Sequence, residues 1–141
     1  MNHLLKSLLL VVGFAFAASA TARADHPAYL RALSDLRLAR AYVAEANSGD
    51  RGAFVVEEID KAIGEIKAAS IDDGKNPGDH PPIDANLDFH GRFHRALDLL
   101  NHAHQDVNQE EDNGYAQGLK SRALMHIDKA HRTLKDIISS W

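Results

Sequence analysis

The sequence predicts an all-α protein, an up-down-up-down four-helix bundle made of two repeated helical hairpins, and three observations carry that prediction. The first is an internal repeat. Residues 26–43 (HPAYLRALSDLRLARAYV) align with 90–107 (HGRFHRALDLLNHAHQDV), matching His26/His90, Tyr29/Phe93, Arg31/Arg95, Leu33/Leu97, Leu36/Leu100 and Val43/Val107. Residues 58–67 (EIDKAIGEIK) align with 126–135 (HIDKAHRTLK), where IDKA recurs letter for letter. The second is apolar periodicity at the helical spacing, with no stretch that alternates at period two. The third is a single strong break between the copies, Asp72 to Pro82 (DDGKNPGDHPP), dense in Gly, Pro, Asp and Asn. One hairpin cannot cover its own apolar stripe, whereas two can cover each other.

The 141 residues open with MNHLLK, the apolar run SLLLVVGFAFAASA and then TARA before Asp25. A short basic start, an apolar stretch and an A-x-A site mark residues 1–24 as a secretory signal peptide. Either Ala18-Ser19-Ala20 or Ala22-Arg23-Ala24 can precede the cut; the second is favoured because helix-forming sequence starts directly after it. The apolar run is shorter than the ~20 residues of a spanning helix. The expected mature protein is 25–141, periplasmic or secreted, with no membrane span. Removing 1–24 takes Lys6 and Arg23 from the 16 basic residues, leaving 14 against 20 acidic ones, a formal charge of −6. That balance disfavours nucleic acid, which is bound by neutralising phosphates with Lys and Arg. Cysteine is absent, so there is no disulfide, thiolate ligand or thiol nucleophile, and core packing has to hold the fold.

Asp25-His26-Pro27 starts the first helix, with Pro in the first turn where its missing N–H is no loss. Tyr29, Leu33, Leu36 and Val43, with Ala32 and Ala39, form its inward stripe, and Asn47-Ser48-Gly49-Asp50 turns the chain. A second helix is expected over about 51–70, with Val55 or Val56, Ile59, Ile63 and Ile66 inward. A third is expected over about 83–109, with Leu87, Phe93, Leu97, Leu100 and Val107 inward. Glu110 to Gly114 makes a tight turn into a fourth helix over about 115–139, with Leu119, Leu124, Ile127, Leu134 and Ile138 inward.

The second copy has gained histidines. At matched positions Leu30 becomes His94, Leu38 becomes His102, Arg40 becomes His104, Glu58 becomes His126 and Ile63 becomes His131. His90 and His94 stand at i,i+4, on one helix face with Cβ atoms ~5–6 Å apart, a spacing at which two imidazoles share a divalent ion. Asp98 and His102 continue the row. Antiparallel third and fourth helices turning near Asn113 would bring His131 beside His94 and His126 beside Asp98. The repeat would bring His26 level with His90, and the loop carrying His80 and the residue Trp141 would reach the same end. The expected metal ligands are therefore His90, His94, His131, His26, His80, Asp98, His102 and His126. Imidazoles with a few carboxylates suit copper, nickel or zinc and suit calcium or magnesium poorly. His104 reads as a bundle-facing histidine with a hydrogen-bond partner.

Other chemistry fits less well. A di-iron bundle site needs inward Glu residues and Glu-x-x-His pairs, and only Asp128-x-x-His131 resembles half of one. Covalent haem lacks its C-x-x-C-H motif; non-covalent haem would need a histidine with Met125, or two histidines. No nucleophile elbow, phosphate loop or triad pattern appears, so the residues give no argument for an enzyme. A rival to metal binding is a non-catalytic envelope adaptor that docks a protein partner through charges such as Arg31, Arg37 and Arg95.

The segment Ala123-Leu124-Met125-His126-Ile127-Asp128-Lys129-Ala130-His131 resembles the repeated unit of the small periplasmic metal-binding proteins, short exported helical hairpins rich in histidine. The resemblance implies binding of copper or other divalent metals without catalysis, and it transfers to His126 and His131. The expected function is an exported protein that buffers or delivers a divalent transition metal through histidines of its third and fourth helices.

Overall fold

The computed structural model describes residues 28–46, 48–72, 74, 76–78, 89–110 and 113–141. The expected signal peptide, His26, His80, and the expected first residues of the third helix with Leu87 lie outside the described residues. Four helices make up the fold: α1 (Ala28–Glu45), α2 (Gly49–Asp72), α3 (Phe89–Gln109) and α4 (Gly114–Ser139). Among the described residues there is no strand, and no helix is long and apolar enough to cross a membrane.

Local chemistry sets the helix ends. Gly49, at φ +68°, takes the left-handed conformation that lets the chain turn from α1 into α2. Gly74 does the same after α2, at φ +71°, and its N–H caps the Ile71 carbonyl at 2.9 Å. Asn113 caps the start of α4: its Oδ1 accepts from the N–H groups of Tyr115 and Ala116, both at 3.0 Å. Its Nδ2 donates to Asp72 at 2.7 Å, tying this cap to the end of α2. Asn113→Ala is expected to lower the unfolding free energy by about 1 kcal/mol, read as a shift of the urea midpoint.

The periodicity places the core well. Tyr29, Leu33, Leu36, Val43, Val55, Ile59, Ile66, Phe93, Leu100, Val107, Leu119, Ile127 and Leu134 are all buried. Ile63, Leu97, Leu124 and Ile138 instead sit half-buried on the flanks, while Ala62, Ala96, Leu99, Ala123 and Ile137 lie inside. The reason is the seam. Fully buried alanines at matched positions, Ala32/Ala96, Ala39/Ala103 and Ala62/Ala130, let backbones approach closely, and each stripe rotates to present them. Larger side chains then fill the spaces beside the seam.

Side-chain pairs give the helix directions. Arg31 at the start of α1 pairs with Asp106 near the end of α3 at 2.8 Å, and Glu45 at the end of α1 meets Arg92 at the start of α3 at 3.3 Å. The Tyr29 N–H donates to Glu110. On the other side Glu65 meets Arg122 at 2.9 Å and Asp72 meets Asn113. So α1·α3 and α2·α4 are both antiparallel, as are the hairpin pairs α1·α2 and α3·α4. The four-helix bundle of two hairpins is as the repeat predicts. Its directions, however, run up, down, down, up rather than alternating strictly. Asp72 and Phe89 lie at opposite ends, and the intervening 16 residues have a reach of ~50 Å, enough for a bundle whose longest helix is ~40 Å.

The matched halves are thus related by an approximate twofold rotation perpendicular to the helices. Tyr29 sits beside Glu110, whereas its match Phe93 sits at the other end against Trp141. Matched residues meet where the rotation axis passes, and there Glu58 faces His126. The contact of Arg40 with Asp60 inside the first hairpin recurs as the contact of His104 with Asp128 inside the second.

Candidate functional site

The histidines divide among several faces of the bundle. His90 and His94 occupy one exposed face at the start of α3, one turn apart. Trp141 stands edge-on to both, with ring centroids 4.8 Å from His90 and 6.5 Å from His94, and it also packs edge-on against buried Phe93 at 5.1 Å. The meeting of these two histidines with Trp141 at one end of the bundle is as the antiparallel turn predicts. Trp141 itself remains half in solvent. The site is therefore a pair of imidazoles on a rigid helix, next to an indole fixed by the core.

His131 is not beside His94. It lines a notch of about 200 Å³ between α3 and α4 with Leu100, Asn101, His104 and Asp128. The expected register is off by about two helical turns, ~10 Å, because the first turn of α4 overhangs the end of α3, where Lys120 reaches back to cap the carbonyls of Asn108 and Glu110. His104 Nε2 lies 3.4 Å from Asp128 Oδ1, and its side chain, 38 % exposed, stands at the rim of this notch rather than facing the bundle interior. Burial lowers the pKa of His131, and Lys135 and His104 add to that while Asp128 opposes it. The imidazole of His131 is held neutral at neutral pH.

Three other expected ligands go elsewhere. His126 Nδ1 lies 2.7 Å from Glu58 Oε2, inside the α2·α4 interface, with both side chains largely buried. Glu58 also accepts from Lys61 Nζ at 3.1 Å. Its own burial works to raise the Glu58 pKa, but the hydrogen bonds from His126 and Lys61 overcome that and hold it below the ordinary carboxylate value. His102 lines the α1·α3 groove, and Asp98 is exposed on α3. The start of α1 lies at the end of the bundle opposite to His90, which removes the ground for placing His26 level with His90. Among the described residues no group of three or more His, Asp or Glu side chains is arranged to hold a metal ion. Met125 is exposed on the outer surface of α4, away from the bundle interior in which a haem would lie.

Two of the five histidine replacements now have a packing explanation. A perfectly symmetric bundle would bury a second glutamate against Glu58 at the twofold axis, which like-charge repulsion and desolvation oppose. Histidine at 126 turns that clash into a hydrogen-bonded pair. His104 stands where Arg40 stands in the first copy, with its Nε2 3.4 Å from the matched aspartate. The partners Glu58 and Asp128 were not expected from the sequence; the letter-for-letter IDKA repeat was the signal that both copies present the same face. Compared with known proteins, the chain matches no family model, no curated protein and no solved structure.

Proposed function

We propose that this chain is an exported helical bundle that binds a divalent transition-metal ion, copper, nickel or zinc, and buffers or delivers it without catalysis. The observation that carries the reading is the His90/His94 pair, one turn apart on an exposed face of α3 and next to Trp141. Each imidazole contributes one neutral nitrogen and water completes the coordination shell. Four-ligand structural zinc sites are worth ~10–16 kcal/mol, so a two-ligand site is worth roughly half of that. This corresponds to a Kd from about a micromolar to about a fifth of a millimolar. Such a range suits reversible uptake and release.

Copper(II) added to the mature chain is expected to quench Trp141 fluorescence saturably, and His90→Ala with His94→Ala is expected to abolish the quenching. His104→Ala with His131→Ala is expected to leave it unchanged. Protons compete for the same nitrogens, so affinity is expected to fall as pH is lowered. Quenching that survives loss of both His90 and His94 would overturn the reading. Of the charges the adaptor alternative would use, Arg31 is already committed to Asp106 through a two-pronged pair, while Arg95 is exposed.

A further inference from the structure

The α1·α3 face carries a groove of about 470 Å³, a volume in the range of small-molecule sites, ~300–1,000 Å³. At one end Arg31 and Asp106 close it with their own ion pair. Two further charged side chains line it, and neither makes a hydrogen bond or ion pair among the described residues: Asp35 on α1 and Arg95 on α3. Asp35 is half-buried, and its burial raises the carboxyl pKa against the pull of His102 and Arg95. A carboxylate taken part-way out of water with neither a hydrogen bond nor a direct ion pair is a standing cost that a ligand ammonium group would relieve. Arg95 is exposed and presents a planar fork suited to a carboxylate. Between their heights the antiparallel register brings Leu38 and Leu99 level, giving the groove an apolar stretch.

We propose that this groove binds a small zwitterion, its ammonium group on Asp35, its carboxylate on Arg95 and its methylenes over Leu38 and Leu99. The four charged residues Arg31, Asp35, Arg95 and Asp106 sum to zero, which matches a ligand with one charge of each sign. The groove carries a single imidazole, His102, and balanced charge, so it is separate in chemistry from the His90/His94 pair. The proposal stands independently of metal binding.

The test is an amide NMR titration of chelator-treated, desalted mature protein with glycine, β-alanine, γ-aminobutyrate and ε-aminocaproate. Shifts are expected in residues 34–38 and 95–102, with affinity rising about tenfold from glycine to the best-fitting longer member. Asp35→Asn and Arg95→Gln are each expected to weaken that best ligand about tenfold while leaving the thermal midpoint close to that of the parent. Butylamine and butyrate, carrying one charge each, are expected to bind about tenfold less tightly. No shift at millimolar zwitterion, shifts indifferent to both substitutions, or equal binding of butyrate alone would each overturn the proposal.

Discussion

Replacing His126 by alanine is expected to lower the unfolding free energy by about 3 kcal/mol at neutral pH, the lower end of the cost of breaking a buried pair. The Glu58 side chain is 3 % exposed, and losing His126 leaves its charge inside the α2·α4 interface with Lys61 as sole support. The loss should shrink in acid. Glu58 has a folded-state pKa below its unfolded value, so its contribution to stability is present above the ordinary carboxylate pKa, about 4.3, and disappears as pH falls through the lower folded value. Without His126 that contribution is largely gone, and the urea midpoint of the variant should vary less between pH 6 and 3 than the parent's, within about that pH window. The double replacement Glu58→Leu/His126→Leu is expected to regain most of the lost stability, because it removes the desolvation cost with the pair. A single variant as stable as the parent at neutral pH would show that the pair does not hold α2 to α4.

Phe93→Ala is expected to cost about 3–5 kcal/mol, the usual penalty for emptying an aromatic site in a packed core. Phe93 is fully buried and supports Trp141 edge-on. The more informative experiment uses the milder Phe93→Leu in double-mutant cycles. Antiparallel α1 and α3 bring Phe93 level with Val43, at the far end of α1 from Tyr29, its counterpart in the repeat. Coupling of at least ~0.5 kcal/mol is expected between Phe93→Leu and Val43→Ala, with additivity between Phe93→Leu and Tyr29→Leu. The reverse pattern would mean that α1 and α3 run parallel.

Helix existence and the main core were legible because a buried stripe has to recur at the helical period: Leu33, Leu36, Ile59, Ile66, Leu100 and Leu134 need no other information. The finer facing was not. Periodicity weights Leu97 and Leu124 above Ala96 and Ala123, whereas close helix approach favours the small residue at the seam. The repeat established that two hairpins are alike but not how they are superposed. A translation and a twofold rotation give the same alignment of Tyr29 with Phe93, and they place those residues at the same end or at opposite ends. The length of the chain between Asp72 and Phe89 was the available clue, since bundle connections are usually ~2–8 residues and a longer one permits a crossing. That single choice moved α1's start away from His90 and made Glu58 the neighbour of His126. His90 and His94 were legible without it, because an i,i+4 pair depends on one helix alone.

Metal binding at that pair is tested most directly by amide NMR of residues 25–141 during substoichiometric addition of copper(II), whose paramagnetism broadens signals near the bound ion. Early loss of signals from residues 89–95 and 138–141 is expected, with residues 126–131 retained until later and the first loss abolished by His94→Ala. Early broadening around His104 and His131 instead, or no localised broadening at all, would contradict it.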